Sequence, residues 1–480
     1  MIVLKFGGTS VGSLERVQDA VSIVEAQPQP RAVVVSAASG VTNMLLDAAS
    51  LARDGRVDEV SALHGDIVER HHAIAAGAFD EAERQLALTD LDNLHLELSD
   101  NLRAVAAARM LTDGDSDRIV SIGERCMAVI VAATLRSRGT PAIHVFANNV
   151  IATDGRHGNA KPDRDRTREQ ASRVVRPLLD AGETVIITGF IGGAPDGSIT
   201  TLGRGGSDYS ATLVGAALSA DEVQIWTDVP GVLSADPRLV PTARVVPQVS
   251  FDEAQELAHF GAKVLHPRTI RPAVSLDIPV RILSTFAPDE PGTLVTRQSN
   301  GEHLKAVTAM RNLLLVTIDV PELEDLSGAA SAVFGALHED RIEVVLVSQS
   351  SSRRRMTYLI DAGNATCAAT RARLSDALRD FEADVGCTEN VAVIAAVGHG
   401  AAEDPKALAR LLAVLGTAGV PVLASSQQTS NAALVAAIPA SDADRAVLAV
   451  HSALIPVGGT GGRNRRQRRS RLLGETMQVG

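Results

Sequence analysis

Two of the five lysines in this 480-residue chain stand inside glycine-containing stretches, Lys5 in KFGGTS (5–10) and Lys263 in FGAKVLHP (260–267). The other 41 of its 46 basic residues are arginine. Lysine is a compact point charge and arginine a planar fork, so a lysine at such a turn in an arginine-biased chain suggests a point-charge contact to an anion. A third stretch, TLGRGGSDYSA, sets two glycines between Arg204 and the Ser207–Asp208 pair. Glycine turns that open helices hold anions on their backbone N–H groups. Four glycine-containing turns follow candidate strands: KFGGTS, SAASGVTN (36–43), GFIGG (189–193) and TDVPG (227–231). One such turn is only a turn; several, with lysine or arginine among them, point to a phosphate or a nucleotide. No Gly-Lys dipeptide and no His-Arg-Asp run occurs, so neither a P-loop nor a protein-kinase catalytic loop supplies the phosphate chemistry.

The elements that must carry these turns are legible as β-branched runs at 2–6, 32–36, 142–146, 184–190 and 223–227, separated mostly by helical patterns. Continuous apolar strands alternating with helices predict a mainly parallel sheet covered on both faces. Residues 57–138 are Leu/Ala-rich with helix periodicity and read as a helical excursion from that sheet. Composition turns to Pro, Gly and polar residues over 287–307. Beyond it a β-α-β-β-α order occurs twice, predicting two small split-βαβ modules. The expected division is a catalytic region over 1–290, modules over 305–386 and 387–455, and a basic, disordered tail over 456–480.

Composition narrows the function. A net charge of −11 disfavours non-specific nucleic-acid binding. No apolar run is long enough for a membrane span. Cys126, Cys367 and Cys387 are widely separated, which argues against a disulfide framework or zinc site and for a reducing cytoplasm. His64, His71 and His72 share a helical pattern, and solvated helix histidines are the expectation there. Glu124 alone reads as an early-helix glutamate favoured by the helix dipole.

Taken together, KFGGTSV (5–11), SGVTN (39–43), SIGE (121–124), TTLGRGGSD (200–208), WTDVPG (226–231), DPR (236–238) and FGAKVLHP resemble the aspartate kinase family, over nearly the whole chain. The resemblance implies an amino-acid-kinase fold, an open and mainly parallel sheet sandwiched by helices, followed by two ferredoxin-like βαββαβ (ACT) modules. It implies phosphoryl transfer from ATP, with Mg2+ on the phosphates, to the β-carboxylate of L-aspartate, the first step toward lysine, methionine and threonine. Lys5 and Asp208 are then the catalytic pair. Thr42, Glu124, Arg204 and Ser207 contact the amino acid. Lys5, Gly7, Gly8, Thr227, Asp228, Arg238 and Lys263 contact the nucleotide. Leu233 stands where the family usually has an aromatic residue near the adenine. A carboxylate of pKa about 3.9 is already ionised at neutral pH, so this reaction needs no general base.

The resemblance also implies amino-acid feedback and a homo-oligomer formed through the modules. Gln349 and Gln427 end matching strands of the two modules, and an amide reads a hydroxyl rather than an ammonium. With Val345 where lysine-sensitive members place an acid, threonine is the favoured effector and lysine the alternative. Three other readings are an amino-acid kinase acting on glutamate or a related acid, a regulatory protein with an inactive kinase domain, and the kinase part of a bifunctional aspartokinase–homoserine dehydrogenase.

Overall fold

The computed structural model describes residues 1–76, 80–262, 267–298, 304–321, 325–350, 354–361, 363, 365–399, 401, 404, 406–427 and 432–455. The N-terminal region runs β1 (Ile2–Phe6), α1 (Leu14–Ala26), β2 (Arg31–Val35), α2 (Val41–Asp54), α3 (Val57–Ala75), α4 (Glu81–Ala108), α5 (Asp113–Ser137) and β3 (Ala142–Val145). It continues through α6 (Arg164–Val174), α7 (Arg176–Asp180), β4 (Thr184–Thr188), β5 (Ile191–Gly193), β6 (Ile199–Thr201), α8 (Gly206–Leu218) and β7 (Glu222–Thr227). It closes with β8 (Gln248–Ser250), α9 (Phe251–His259), α10 (Pro267–Val274), β9 (Val280–Ser284) and β10 (Thr293–Thr296). Eight strands form one sheet in the order β3-β4-β2-β1-β7-β9-β10-β8. The first six are mutually parallel, and β10 joins β9 antiparallel.

Alternation along the strands fills both faces. Val3, Val34, Ile187 and Ile225 belong to one core with helices such as α8, and Leu4, Val33, Ile186 and Trp226 to the other with α1–α5. Burial on both faces explains the continuous apolar runs. β10 lies inside the Pro/Gly-rich stretch that composition marks as a break, so the large sheet extends past residue 290. The helical excursion is α3, α4 and α5. Its histidines are not all solvated as expected: His71 is fully buried against His95 of α4. Burial pushes His71 down to about 3 and His95 to about 4, so both rings are neutral at neutral pH.

The C-terminal region runs β11 (Ala306–Asp319), α11 (Leu326–Glu339), β12 (Glu343–Ser350), β13 (Arg355–Asp361), α12 (Cys367–Ala377), β14 (Asp384–Val397), α13 (Ala407–Thr417), β15 (Ala424–Gln427), β16 (Ala433–Pro439) and α14 (Ala443–Leu454). Its strands form one antiparallel sheet, β12-β13-β11-β14-β16-β15. The long strands β11 and β14 serve both modules. Their outer halves carry Leu314, Val316, Ile318 and Val385 into the core under α11 and α12. Their other halves carry Val307, Ala392, Ile394 and Ala396 into the core under α13 and α14. The division therefore cuts across two strands, near Asn312 (φ 61°) and Asn390 (φ 58°), rather than between residues 386 and 387. Asparagine tolerates this left-handed backbone, and the register shift there keeps all four helices on one face.

Cys367 and Cys387, expected to stay apart, form a disulfide with a Cα–Cα separation of 5.6 Å. Packing of α12 on β14 joins positions that the sequence separates by 20 residues. No described helix is long and apolar enough to cross a membrane.

Candidate active site

The turns after β1, β2 and β4 and the start of α8 enclose a cleft of about 720 Å³. Lys5, Gly8, Thr42, Glu124, Arg204, Ser207 and Asp208 all line it. Carboxyl ends of parallel strands form such crevices where the strand order reverses, and here β1 sits between β2 and β7. The N-termini of α2 and α8 both border the cleft, so two sets of free backbone N–H groups and two positive dipole ends face one space. Glycine is required where the turns close on each other. A Cβ on Gly8 would stand 2.7 Å from Ala37 O, and Gly205 caps α8 at φ 68°.

Lys5 is the penultimate residue of β1, and its Nζ lies 2.6 Å from Asp208 Oδ1 on the first turn of α8. Their side chains are 10% and 20% exposed, so the pair is desolvated but open to the cleft. Glu124, on α5, is buried, and burial pushes its carboxyl up to about 8, opposed by backbone N–H groups that include Ala37. Its Oε2 has no hydrogen-bond partner among the described residues. A carboxylate in that position is completed by a cation such as an ammonium group, which also lowers the cost of its charge. Arg204 is exposed at the rim, with its guanidinium in no ion pair among the described residues. An amino acid fits this distribution: an ammonium to Glu124, a carboxylate to Arg204, and a second anion beside Lys5.

The nucleotide contacts expected from sequence are more scattered. Gly7 donates its N–H to Trp226 O at 3.2 Å, tying the first turn to β7. Thr227 ends β7, one strand over from Lys5, Asp228 follows it, and Thr227 Oγ1 donates to Asp228 Oδ1 at 3.2 Å. They do not line the cleft, and neither does Arg238, whose side chain is 87% exposed and paired with Asp236 at 2.6 Å. Lys263 lies outside the described residues. Leu233 bridges to Val245 beside β8. In the C-terminal sheet Gln349 is exposed on the edge strand β12, and Gln427 ends the opposite edge strand β15, its side chain outside the described residues. The sheet curls so that these two edges approach each other. Val345 is buried.

Three contributors escape the sequence. Phe190, in a left-handed backbone (φ 68°), lines the cleft and donates its N–H to Ser210 Oγ at 3.0 Å. Its strained turn gives no signal beyond the glycines around it. Asn43 lines the cleft from SAASGVTN. Asp117, buried on α5, accepts from Thr201 N and Oγ1 at 3.1 and 2.6 Å, from Gly158 N at 2.9 Å, and contacts His157 Nδ1 at 3.0 Å. It anchors the strand that leads into the Arg204 loop from 84 residues away, a separation that no local pattern encodes.

Residues 1–284 match the Amino acid kinase family, and residues 322–372 and 394–454 match an ACT domain. A bifunctional aspartokinase/homoserine dehydrogenase of Daucus carota is 34% identical over 461 residues, 93% of this chain and 50% of that protein. The chain thus spans about half the length of the bifunctional relatives it matches. Escherichia coli aspartokinase III with aspartate and ADP aligns at 32% identity and TM-score 0.76, over 95% of this chain and 99% of that one. The same enzyme with lysine and aspartate aligns at 31% identity and TM-score 0.78, over 95% and 100%.

Proposed function

The chain belongs to the amino acid kinase family, among its aspartokinases with ACT domains, and we propose that it transfers the γ-phosphoryl group of ATP to the β-carboxylate of L-aspartate, giving 4-phospho-L-aspartate and ADP. The observation that carries this reading is the buried Glu124 Oε2, without a partner in the same cleft as the Lys5–Asp208 pair. Glu124 takes the α-ammonium and Arg204 the α-carboxylate, which aims the β-carboxylate at the phosphoryl group, with Thr42 and Ser207 hydroxyls completing the contacts. A β-carboxylate oxygen bonds to phosphorus as the bond from phosphorus to the ADP oxygen breaks, and no proton need move. Catalysis is positioning and charge neutralisation. Lys5 neutralises the transferring group, and Asp208 holds Lys5 at the end of β1. Gly7, Gly8, Thr227 and Asp228, with Arg238 and Lys263, take the nucleotide, and Leu233 packs on the base. Magnesium, carried on the phosphates, supplies further neutralisation. This fits a described cleft whose two named carboxylates already serve Lys5 and an ammonium. A need for ATP points to the cytoplasm.

Regulation follows from the edges of the C-terminal sheet. An amino-acid effector binds there, between modules of one chain or of two in a homo-oligomer, and Gln349 and Gln427 favour a hydroxyl-bearing ligand, threonine, over lysine. The test is ADP release with aspartate, glutamate and related acids, then with added threonine or lysine. Aspartate-dependent release is expected. Release with glutamate alone would overturn the substrate. Inhibition by lysine alone, unaltered in Gln349→Ala, would overturn the effector.

A further inference from the structure

Away from the cleft, three helices of the excursion bring two imidazoles and a thiol together in the core. His71 of α3 is fully buried, His95 of α4 is nearly so, and Cys126 of α5 is buried. His71 Nδ1 lies 3.1 Å from His95 Nε2, and Cys126 Sγ lies 3.8 Å from the same Nε2. One ligand atom from each of the three falls within 4.8 Å of the others. The protein's own hydrogen bonds leave this group poorly served. His71 Nδ1 and His95 Nε2, the ring atoms that would hold a metal, face each other, while His71 Nε2 and His95 Nδ1 on the opposite ring edges have no partner among the described residues.

We propose that His71, His95 and Cys126 form a zinc site that joins α3 and α4 to α5. Zinc bonds of about 2.0–2.1 Å to nitrogen and about 2.3 Å to sulfur, at tetrahedral angles, put neighbouring ligand atoms about 3.3–3.6 Å apart. The two measured separations bracket that range. Two imidazoles and a thiolate suit a borderline d10 cation, whereas magnesium and calcium take oxygen ligands. Cys126 gives its thiol proton to solvent on binding. The site adjoins the cleft through α5, where Cys126 stands two positions after Glu124, and through Arg70, whose guanidinium donates to Ser39 O at 2.7 Å. His72 and Asp92, 3.2 Å apart, flank His95 on its outer side and are the competing surface ligands.

The full chain, stripped with chelator and dialysed against zinc, is expected to retain one zinc per chain. Its cobalt(II) form should show a thiolate-to-metal charge-transfer band. Cys126→Ser and His95→Asn should each lose the retained zinc and bind at least about 10-fold more weakly. Zinc should raise the melting temperature of the wild type and not that of Cys126→Ser. A wild type that retains no zinc, or a cobalt spectrum without the thiolate band, overturns the site even if the variants fail to fold. Equal retention by folded Cys126→Ser also overturns it and assigns the metal to His72 and Asp92.

Discussion

Among the described residues two lysines make short ion pairs, and their settings are opposite. Lys5 and Asp208 meet at 2.6 Å with side chains 10% and 20% exposed, facing a large cleft. Lys305 and Glu253 meet at 2.8 Å with both side chains 1% exposed. Every direction around the second pair is used. Lys305 Nζ also donates to Gln248 O at 3.0 Å, and Glu253 accepts from Ser250 N at 2.6 Å and from His399 N at 2.5 Å. That pair locks the start of α9 to the strands β11 and β14 of the C-terminal sheet. The first pair has room for a new anion beside Lys5; the second has none. The same two groups serve exchange in one place and attachment in the other, and what decides is how many other donors surround them.

The largest effect should come from breaking the sealed pair. Lys305→Met keeps the volume and strands a buried carboxylate, which typically costs about 3–5 kcal/mol. Chemical denaturation should show that loss, and Lys305→Met with Glu253→Gln should recover much of it. A loss under about 1 kcal/mol for Lys305→Met would mean that the pair is not sealed.

Lys5→Ala should leave folding stability near wild type and lower kcat roughly 10²–10³-fold, the usual cost of one preorganised donor. Steady-state kinetics with a melting control decides between this and a structural role.

Arg204→Ala should raise KM for aspartate about 10–100-fold and leave KM for ATP nearly unchanged, because the lost hydrogen bonds to a charged group are worth about 1.5–3 kcal/mol. Equal changes in both constants would remove Arg204 from the amino-acid side of the cleft.

The smallest effect concerns pH at the attachment face. His451 Nε2 and Ser234 Oγ lie 2.9 Å apart, and burial, with the nearby Arg244 charge, lowers the His451 pKa. The unfolded chain therefore takes the proton first. The stability of this contact is fully present above an unfolded pKa of about 6.5 and is lost as pH falls through the folded value. Melting of the wild type minus that of His451→Gln should shrink from pH 7.5 to pH 5. A difference that grows in acid would reverse the sign.

Much of the N-terminal region was legible because its signals are local. The runs at 2–6, 32–36 and 184–190 became strands of the parallel sheet, and the Leu/Ala-rich stretch became three helices. Thr42, Arg204 and Asp208 sit in short runs beside strand ends or helix starts, whereas Glu124 lies midway along α5 rather than in its first turn, and the fold gathers all four in one cleft. What stayed hidden depends on long-range pairing. β10 adds to the large sheet from a stretch rich in breakers. β11 and β14 each belong to two cores, so a repeat read along the chain cannot find where they divide. The Cys367–Cys387 bond and the His71, His95 and Cys126 cluster join residues on separate elements, which composition and spacing read as isolated. Arg238 shows the converse. Its motif is local and clear, yet its side chain is held by Asp236 away from the cleft.

Whether the Lys5–Asp208 pair acts on a phosphoryl group bound for a carboxylate is read out by trapping the product. Aspartate and ATP are incubated with the full chain in hydroxylamine, which converts an acyl phosphate to a hydroxamate. The wild type should give aspartyl hydroxamate in step with ADP, and Lys5→Ala roughly 10²–10³-fold less. ADP release without hydroxamate, or equal hydroxamate from Lys5→Ala, would contradict it.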